Sequence, residues 1–504
     1  MKQHDRDSEE VSDKDVALLA TLGYKQDFKR TFSRLELFGV GFSIIGVFPS
    51  VAGVLIFAIP YGGPVAMVWG WAVCSVFIMC IAATIAELGS AAPTAGGLYY
   101  WTYKYASPRT RNLLSWIVGY MSTITYAVAT TAVAWACAVS ILAGASIGSD
   151  FAYVPTTGQT FGVFTAVILF QLMMATLPSP IVAQLQKLYI ALNILVCLGV
   201  IVALPIVTPK ENINSAKYVF AAFDAPTHIS EEASNASYAV PFATLTSPAV
   251  AVVLGLALNI ALAFCMGTDL ESIVGNEIGQ PLATILFNSF GKKGTLAVWS
   301  FTIMVQVFMG AGALTAGARL TWAFSRDGAL PFSSYISRLN PVTGTPTYAA
   351  LLTAFVAFTV GTLVFAGPAA STALFSASLV MIYVDLIVVV LCRFLGGERW
   401  EPGLFSLGRW SKPIAFTSTL FMTLVVVILS FPSNPSPTAA TMNYTCLMIG
   451  GYVLLVVAYY YVPVYGAKTW FRGPRSNLRE LGVGASGGEE RSLDEKAGVY
   501  VKVL

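Results

Sequence analysis

The chain has 504 residues, of which 56% are hydrophobic and only 11% charged, where soluble domains carry about 25% charged residues. That composition excludes a water-soluble globular protein, and a net charge of +3 spread along the chain excludes a nucleic-acid surface. The charges gather at the ends: residues 1–36 hold 15 of the 55 and residues 467–504 hold 12, so two polar tails flank an apolar body.

The first 30 residues contain no apolar h-region, so no cleavable signal peptide is expected and insertion falls to the first apolar span. A membrane helix needs about 20 consecutive, mostly apolar residues. Spans are predicted near 37–59, 64–88, 113–146, 161–177, 183–207, 246–269, 295–324, 348–366, 372–394, 414–431 and 444–465, which makes eleven. The expected division is a tail over 1–36, a membrane domain over 37–466 and a second tail over 467–504. A β-barrel would alternate in polarity over stretches of about ten residues, and these apolar runs are unbroken. Seven cysteines, at 74, 80, 137, 197, 265, 392 and 446, lack paired spacing and read as packing rather than as a disulfide frame or a zinc site. His4 and His228 are the only histidines, so the usual general base is scarce and no catalytic site, metal or cofactor is expected.

Short cytoplasmic loops collect Lys and Arg. The stretches 89–112, 178–189, 319–347 and 395–413 carry them, and both tails hold seven; 60–63, 147–160, 367–371 and 432–443 hold none. Counted from a cytoplasmic N-terminus, five spans put residue 208 outside; counted back from a cytoplasmic C-terminus, six spans put residue 245 inside. Unless the polarity of half the protein is unusual, the segment 208–245 must therefore cross the membrane. Its one apolar stretch, Tyr218 to Phe223, is closed at once by Asp224 and Pro226 and is far too short for the ~30 Å of hydrocarbon.

Two segments interrupt their own helices, the usual pointer to a transport site, because an unwound turn frees backbone donors and acceptors at mid-membrane. In Ser43-Ile-Ile-Gly46-Val-Phe-Pro49-Ser50, Pro49 lacks an amide hydrogen and Gly46 is free to open the turn. The following half-helix would offer a partial positive pole to a carboxylate; the alternative is a plain proline kink. In Phe223-Asp224-Ala225-Pro226-Thr227-His228-Ile229-Ser230-Glu231-Glu232, ionisable groups crowd the segment that has to cross, so Asp224 and His228 are candidates for a substrate amine or a proton relay, against the alternative of a surface loop. Asp385, inside span 372–394, either pairs with a substrate or coupling ion or makes a helix–helix hydrogen bond. The run Gly310-Ala-Gly-Ala-Leu-Thr-Ala-Gly317 is expected to pack helices closely.

These residues resemble the amino acid–polyamine–organocation permeases, and within them the fungal amino acid/choline, GABA-permease-like transporters, from about Phe32 to Pro474. Phe42 to Ser50, with Tyr61-Gly-Gly-Pro64 and Trp69-Gly-Trp71, is similar to that family's broken first helix and its turn. Ala86 to Trp101 resembles the signature after the second helix, Phe324 to Phe332 the loop after the eighth, and His228 to Glu232 the end of the sixth. The resemblance implies an all-α integral membrane protein with a broken-helix, inverted-repeat (5+5) transporter fold. Its twelve-helix pattern would here have about eleven full spans. It implies secondary active transport of an amino acid or an amine such as γ-aminobutyrate, choline or a polyamine, by alternating access and with H+ as coupling ion, in the plasma membrane rather than the vacuolar one. Carried over residue by residue, Ile45, Gly46, Val47, Phe48 and Ser50 would meet substrate from the first helix, and Phe223, Asp224 and Ala225 from the sixth. His228, Glu231 and Glu232 would sit at the gate, with Asp385 in gating or coupling. Lys217 to Phe220 resembles the loop before the sixth helix and Phe223 its middle, so that helix's outer half is missing. A transport-defective or receptor-like homologue is the alternative that this departure implies.

Overall fold

The computed structural model describes residues 34–220, 236–276, 278–432, 437–438 and 442–475. Among these, ten helical spans are long and apolar enough to cross a membrane, and the shorter Thr445–Tyr461 accompanies them. They coincide with the eleven predicted stretches, and no strand occurs among the described residues. The helices are apolar on nearly every face because one side meets lipid and the other meets neighbouring helices.

The first span is two half-helices, α1 (Arg34–Ile45) and α2 (Val47–Val65), broken at Gly46. Near its end α2 is interrupted again at Gly62 and Gly63, and after a short π-helical turn α3 (Trp71–Ala91) runs back. Then follow α4 (Gly97–Tyr105), α5 (Arg111–Gly148), α6 (Thr157–Ala175) and α7 (Ser179–Val207). The short α8 (Ala216–Phe220) precedes the undescribed residues 221–235, and α9 (Ala236–Cys265) follows them. The rest is α10 (Leu270–Val274), α11 (Pro281–Arg326), α12 (Ser333–Ile336), α13 (Thr347–Gly361), α14 (Pro368–Leu395), α15 (Ser411–Ser430), α16 (Thr445–Tyr461) and α17 (Ala467–Trp470).

Three boundaries differ from the sequence reading. The stretch 89–112 is not all loop, since α4 lies within it. Lys187 stands inside α7, where it pairs with Glu36 at 2.8 Å, rather than in a loop between spans. The span read from 295 begins at Pro281 and bends sharply at Gly291, whose φ of 65° is accessible mainly to glycine.

Helix α9 packs along α3 and α1, and α7 completes this side of the bundle. Its core holds Phe42, Phe48, Tyr189, Leu258 and Leu262. On the other side α5 packs against α11, α13 and α14, with Trp116 ringed by Tyr120, Tyr459, Tyr460, Trp470 and Phe471. The small residues of α11 act as packing positions: a Cβ on Gly312 would come 2.8 Å from Ser43 Oγ, and one on Gly317 would come 2.8 Å from Tyr126 Cβ.

Candidate functional site

The break in the first span is an open turn, not a kink. Gly46 adopts φ 47° and ψ 66°, a left-handed conformation that costs an L-residue with a Cβ roughly 1–2 kcal/mol. Pro49 sits in the first turn of α2, where its missing amide hydrogen has no intrahelical partner to lose. Gly46 N–H still donates to Phe42 O at 3.2 Å, and Ser50 N–H to Gly46 O at 2.9 Å, while Val47 and Phe48, as the first residues of α2, have no acceptor for their amides within that helix. The carbonyls near the end of α1, those of Ser43 and Ile44, have no donor within that helix. Ser50 Oγ closes the turn by donating to Ile45 O at 2.6 Å.

Ile45, Val47 and Phe48 are all buried, so these backbone poles face the protein interior. Helix α11 seals one side: a Cβ on Gly46 would stand 2.7 Å from Met309 Sδ. The start of α2 thus presents donors and the end of α1 acceptors within one turn. That arrangement can hold a carboxylate at the first and an amine at the second without any charged side chain.

Five of the twelve expected site residues, Ile45, Gly46, Val47, Phe48 and Ser50, are together at this turn. Phe223, Asp224, Ala225, His228, Glu231 and Glu232 lie outside the described residues. Asp385 is elsewhere, in the interface of α14 with α5, wholly buried and accepting a 2.7 Å hydrogen bond from Ser122 Oγ. Of the two readings of Asp385, the helix–helix hydrogen bond is present.

Two groups of residues escaped the sequence reading. On α7, buried Tyr189, Asn193 and Cys197 form a polar row, Cys197 Sγ donating to Asn193 Oδ1 at 3.7 Å and Asn193 Nδ2 to Tyr189 Oη at 3.2 Å. Their four-residue spacing within an apolar helix was the available signal. Far from the turn, Glu87 at the end of α3 and Arg393 at the end of α14 form a buried ion pair, Nη1 to Oε2 at 2.7 Å; nothing in one sequence links positions 306 residues apart.

The two sides of the undescribed stretch 221–235 are anchored at opposite ends of α9. Phe220 packs on Phe264 near the end of α9, with ring centroids 5.8 Å apart, and its carbonyl accepts from Trp69 Nε1 at 2.8 Å. Nearby, Asn214 Nδ2 donates to Ala263 O and Gly267 O. Toward the start of α9, Ser247 Oγ donates to Phe38 O on α1. Residues 220 and 236 therefore stand at opposite ends of α9.

Residues 32–452 match the family model for amino acid permeases. An uncharacterized amino-acid permease of Schizosaccharomyces pombe is 32% identical, covering 93% of this chain and 90% of the relative. The GABA-specific permease of Saccharomyces cerevisiae is 34% identical, covering 92% and 86%. A putative polyamine transporter of Candida albicans is 28% identical, covering 93% and 90%. The first two alignments run over 496 and 498 positions, while 93% and 92% of 504 residues are about 469 and 464; the relatives thus carry about 27 and 34 residues in the matched region that this chain lacks. The open turn in an all-helical membrane bundle and the match over most of the length agree: this chain belongs to the amino acid permease family, a multi-pass membrane transporter of amino acids or related amines and not an enzyme.

Proposed function

We propose that this permease is a proton-coupled secondary transporter that moves an amino acid or a small amine, such as γ-aminobutyrate, choline or a polyamine, by alternating access in the plasma membrane, with both termini in the cytoplasm. The observation that carries the reading is the Gly46 turn, whose paired donors and acceptors fit a small solute bearing a carboxylate, an amine or both. Ile45, Gly46, Val47, Phe48 and Ser50 form the first-helix side of the pocket, and Phe223, Asp224 and Ala225 its sixth-helix side. His228, Glu231 and Glu232 serve the gate. Asp385 serves coupling, supported by its complete burial with Ser122 as its hydrogen-bond donor.

The test is an uptake panel of amino acids, choline and polyamines with and without an inward proton gradient. Accumulation that depends on the gradient and is abolished by Gly46→Trp is expected; unchanged uptake in that variant refutes the pocket. A second reading, a transport-defective or receptor-like homologue, is favoured by one observation, the roughly 30 residues that the relatives have and this chain lacks. No accumulation of any panel member by an abundant, correctly inserted protein would establish it.

A further inference from the structure

The chain does not leave the bundle where α16 ends at Tyr461. Gly466 N–H donates to Val462 O at 2.8 Å in a tight turn, α17 follows, and Trp470 Nε1 donates back to Tyr465 O at 3.1 Å. Ala467 and Phe471 are buried. The Phe471 ring stands 5.0 Å from that of Trp116, near the start of α5, and 6.4 Å from that of Phe324, near the end of α11. Further on, the backbone of Gly473 lies against Tyr103 of α4, so closely that a Cβ there would overlap Tyr103 Cε2. The Arg475 guanidinium covers Gly328 in the loop after α11, where a Cβ would stand 3.1 Å from Arg475 Cζ, and its Nη2 donates to Trp470 O at 3.5 Å. Residues 462–475 thus form a strap over three elements, α4, α5 and the loop after α11.

Polar contacts beneath the strap join the same three elements. Tyr99 Oη of α4 donates to Asp327 Oδ2, Ser115 Oγ of α5 to Tyr99 O at 3.0 Å, and Tyr120 Oη of α5 to Ala329 O at 3.0 Å. Helix α4 stands where the two sides of the bundle meet. Helix α3, which leads into it, packs along α9, whereas α4 itself packs against α5 and α14. The link between them is held at Ala92 O, which accepts from Trp101 Nε1 at 2.8 Å. When two sides of a bundle move as rigid bodies, a short helix at their junction follows the side that holds it more firmly. The strap adds its contacts on the α5 side.

We propose that Phe471, Gly473 and Arg475 are positioning residues of the permease: the strap they form fixes α4 and the loop after α11 to α5, so that this end of the bundle moves as one body, and it sets the turnover of transport without touching the solute. The proposal rests on the alternating-access reading. Gly473 is the sharpest place to test it, because its φ of 83° and the Tyr103 ring both exclude a side chain, so that alanine lifts the strap while removing no group from the bundle. Arg472, between two buried residues but itself exposed, is the matched control.

The experiment follows amide hydrogen exchange by mass spectrometry in the purified full-length protein in nanodiscs, for the parent, Gly473→Ala, Phe471→Ala and Arg472→Ala. Binding of radiolabelled γ-aminobutyrate and spermidine, and uptake KM and Vmax, are measured in parallel. Gly473→Ala and Phe471→Ala are expected to speed exchange in residues 97–105 and 324–331 by roughly 5- to 50-fold, through local opening, and to leave α7 as in the parent. Vmax should fall more than about twofold while Kd stays within about twofold, since the strap is remote from the Gly46 turn. Arg472→Ala should match the parent in every measurement. Unchanged exchange in Gly473→Ala, exchange that rises equally in α7, a parental Vmax despite faster exchange, a Kd that changes as much as Vmax, or an Arg472→Ala variant that behaves like Gly473→Ala overturns the proposal. A parent that binds but does not accumulate solute overturns the transport reading instead, and the exchange pattern still decides whether the strap holds α4.

Discussion

The buried pair between α3 and α14 yields a prediction whose size follows from its geometry. Glu87 and Arg393 side chains are 1% and 3% exposed. Arg393 Nη1 donates to Glu87 Oε2 at 2.7 Å and Nη2 to Ser411 Oγ at 2.8 Å, while Ser411 Oγ itself donates to Oε2 at 2.7 Å. Ser406 Oγ and Leu407 N–H both donate to Oε1 at 3.2 Å. The guanidinium lies 3.6 Å over the Trp400 ring, and its Nε has no hydrogen-bond partner among the described residues. Removing one member of a buried pair costs about 3–5 kcal/mol because the other charge is left uncompensated. The two halves are unequally protected, however. Without Arg393 the carboxylate keeps three donors, Ser411, Ser406 and Leu407; without Glu87 the guanidinium keeps one hydrogen bond among the described residues, to Ser411 Oγ, and the faces of Trp400 and Phe394. At about 1.5–3 kcal/mol per charge-assisted hydrogen bond, Glu87→Leu should be the more damaging change, near the upper end of the range, and Arg393→Met near the lower end. The double variant should recover a large part of the loss, since no buried charge then remains. The assay is heat inactivation of detergent-solubilised protein, followed by size-exclusion fluorescence. A double variant no more stable than Glu87→Leu, or Arg393→Met worse than Glu87→Leu, would refute this account of the pair.

Gly46→Ala should lower stability by roughly 1–3 kcal/mol, through the left-handed φ and the approach to Met309 Sδ, and reduce uptake more than abundance; uptake in proportion to surface protein would contradict it. Gly255→Ala would set a methyl 2.0 Å from Trp71 Cζ2 and displace the ring whose Nε1 donates to Val252 O at 3.0 Å, so a loss of roughly 1–3 kcal/mol or more is expected in the same heat-inactivation assay. Ser122→Ala takes away the donor to Asp385, at a cost of about 1–3 kcal/mol, while Ser122→Thr keeps the hydroxyl and should stay close to the parent; equal behaviour of the two would show that the hydrogen bond contributes nothing.

The spans were readable because hydrocarbon of fixed thickness imposes a length on every crossing helix, and composition alone reports it. The open turn was readable for a related reason, since Gly46 and Pro49 are poor continuers of a helix and stand inside an otherwise unbroken run. What stayed hidden depends on partners. Helix α4 is built from Leu98, Tyr99, Tyr100 and Trp101, buried between α5 and α14, and its polarity as a sequence is that of a loop. The piece of α11 before Gly291 merges in sequence with the span that follows, and only the backbone angle at Gly291 separates them. Glu87 and Arg393 each looked like an ordinary helix-end charge until the fold brought them together. Tyr189, Asn193 and Cys197 carry no such mark, since they stand in an unbroken stretch of α7.

The sixth crossing can be decided by length. From Ala236 to Phe264 is 28 residues of α9, about 42 Å at 1.5 Å per residue, and Phe220 is fixed beside the far end of that helix. Sixteen residue steps separate 220 from 236; at the same helical rise they would advance about 24 Å, little more than half the distance and less than the ~30 Å of a bilayer core. A helix of about 20 apolar residues is the unit that spans such a core, and within the matched region the relatives carry about 27 to 34 residues that have no counterpart in this chain. The deficit in distance and the deficit in residues are of the same kind, and the resemblance of Lys217 to Phe220 to the segment before the sixth helix, and of Phe223 to that helix's middle, points to the junction between Lys217 and Phe223. The expected outcome is a transcript with 30 to 40 additional codons at this junction, encoding an apolar run of helix length. Reading those codons back into the chain should yield a protein that accumulates more solute per inserted molecule than the 504-residue form. A transcript that joins Lys217 to Phe223 as written would refute the expectation, and a homologue that binds without transporting would then be the better account of the open turn.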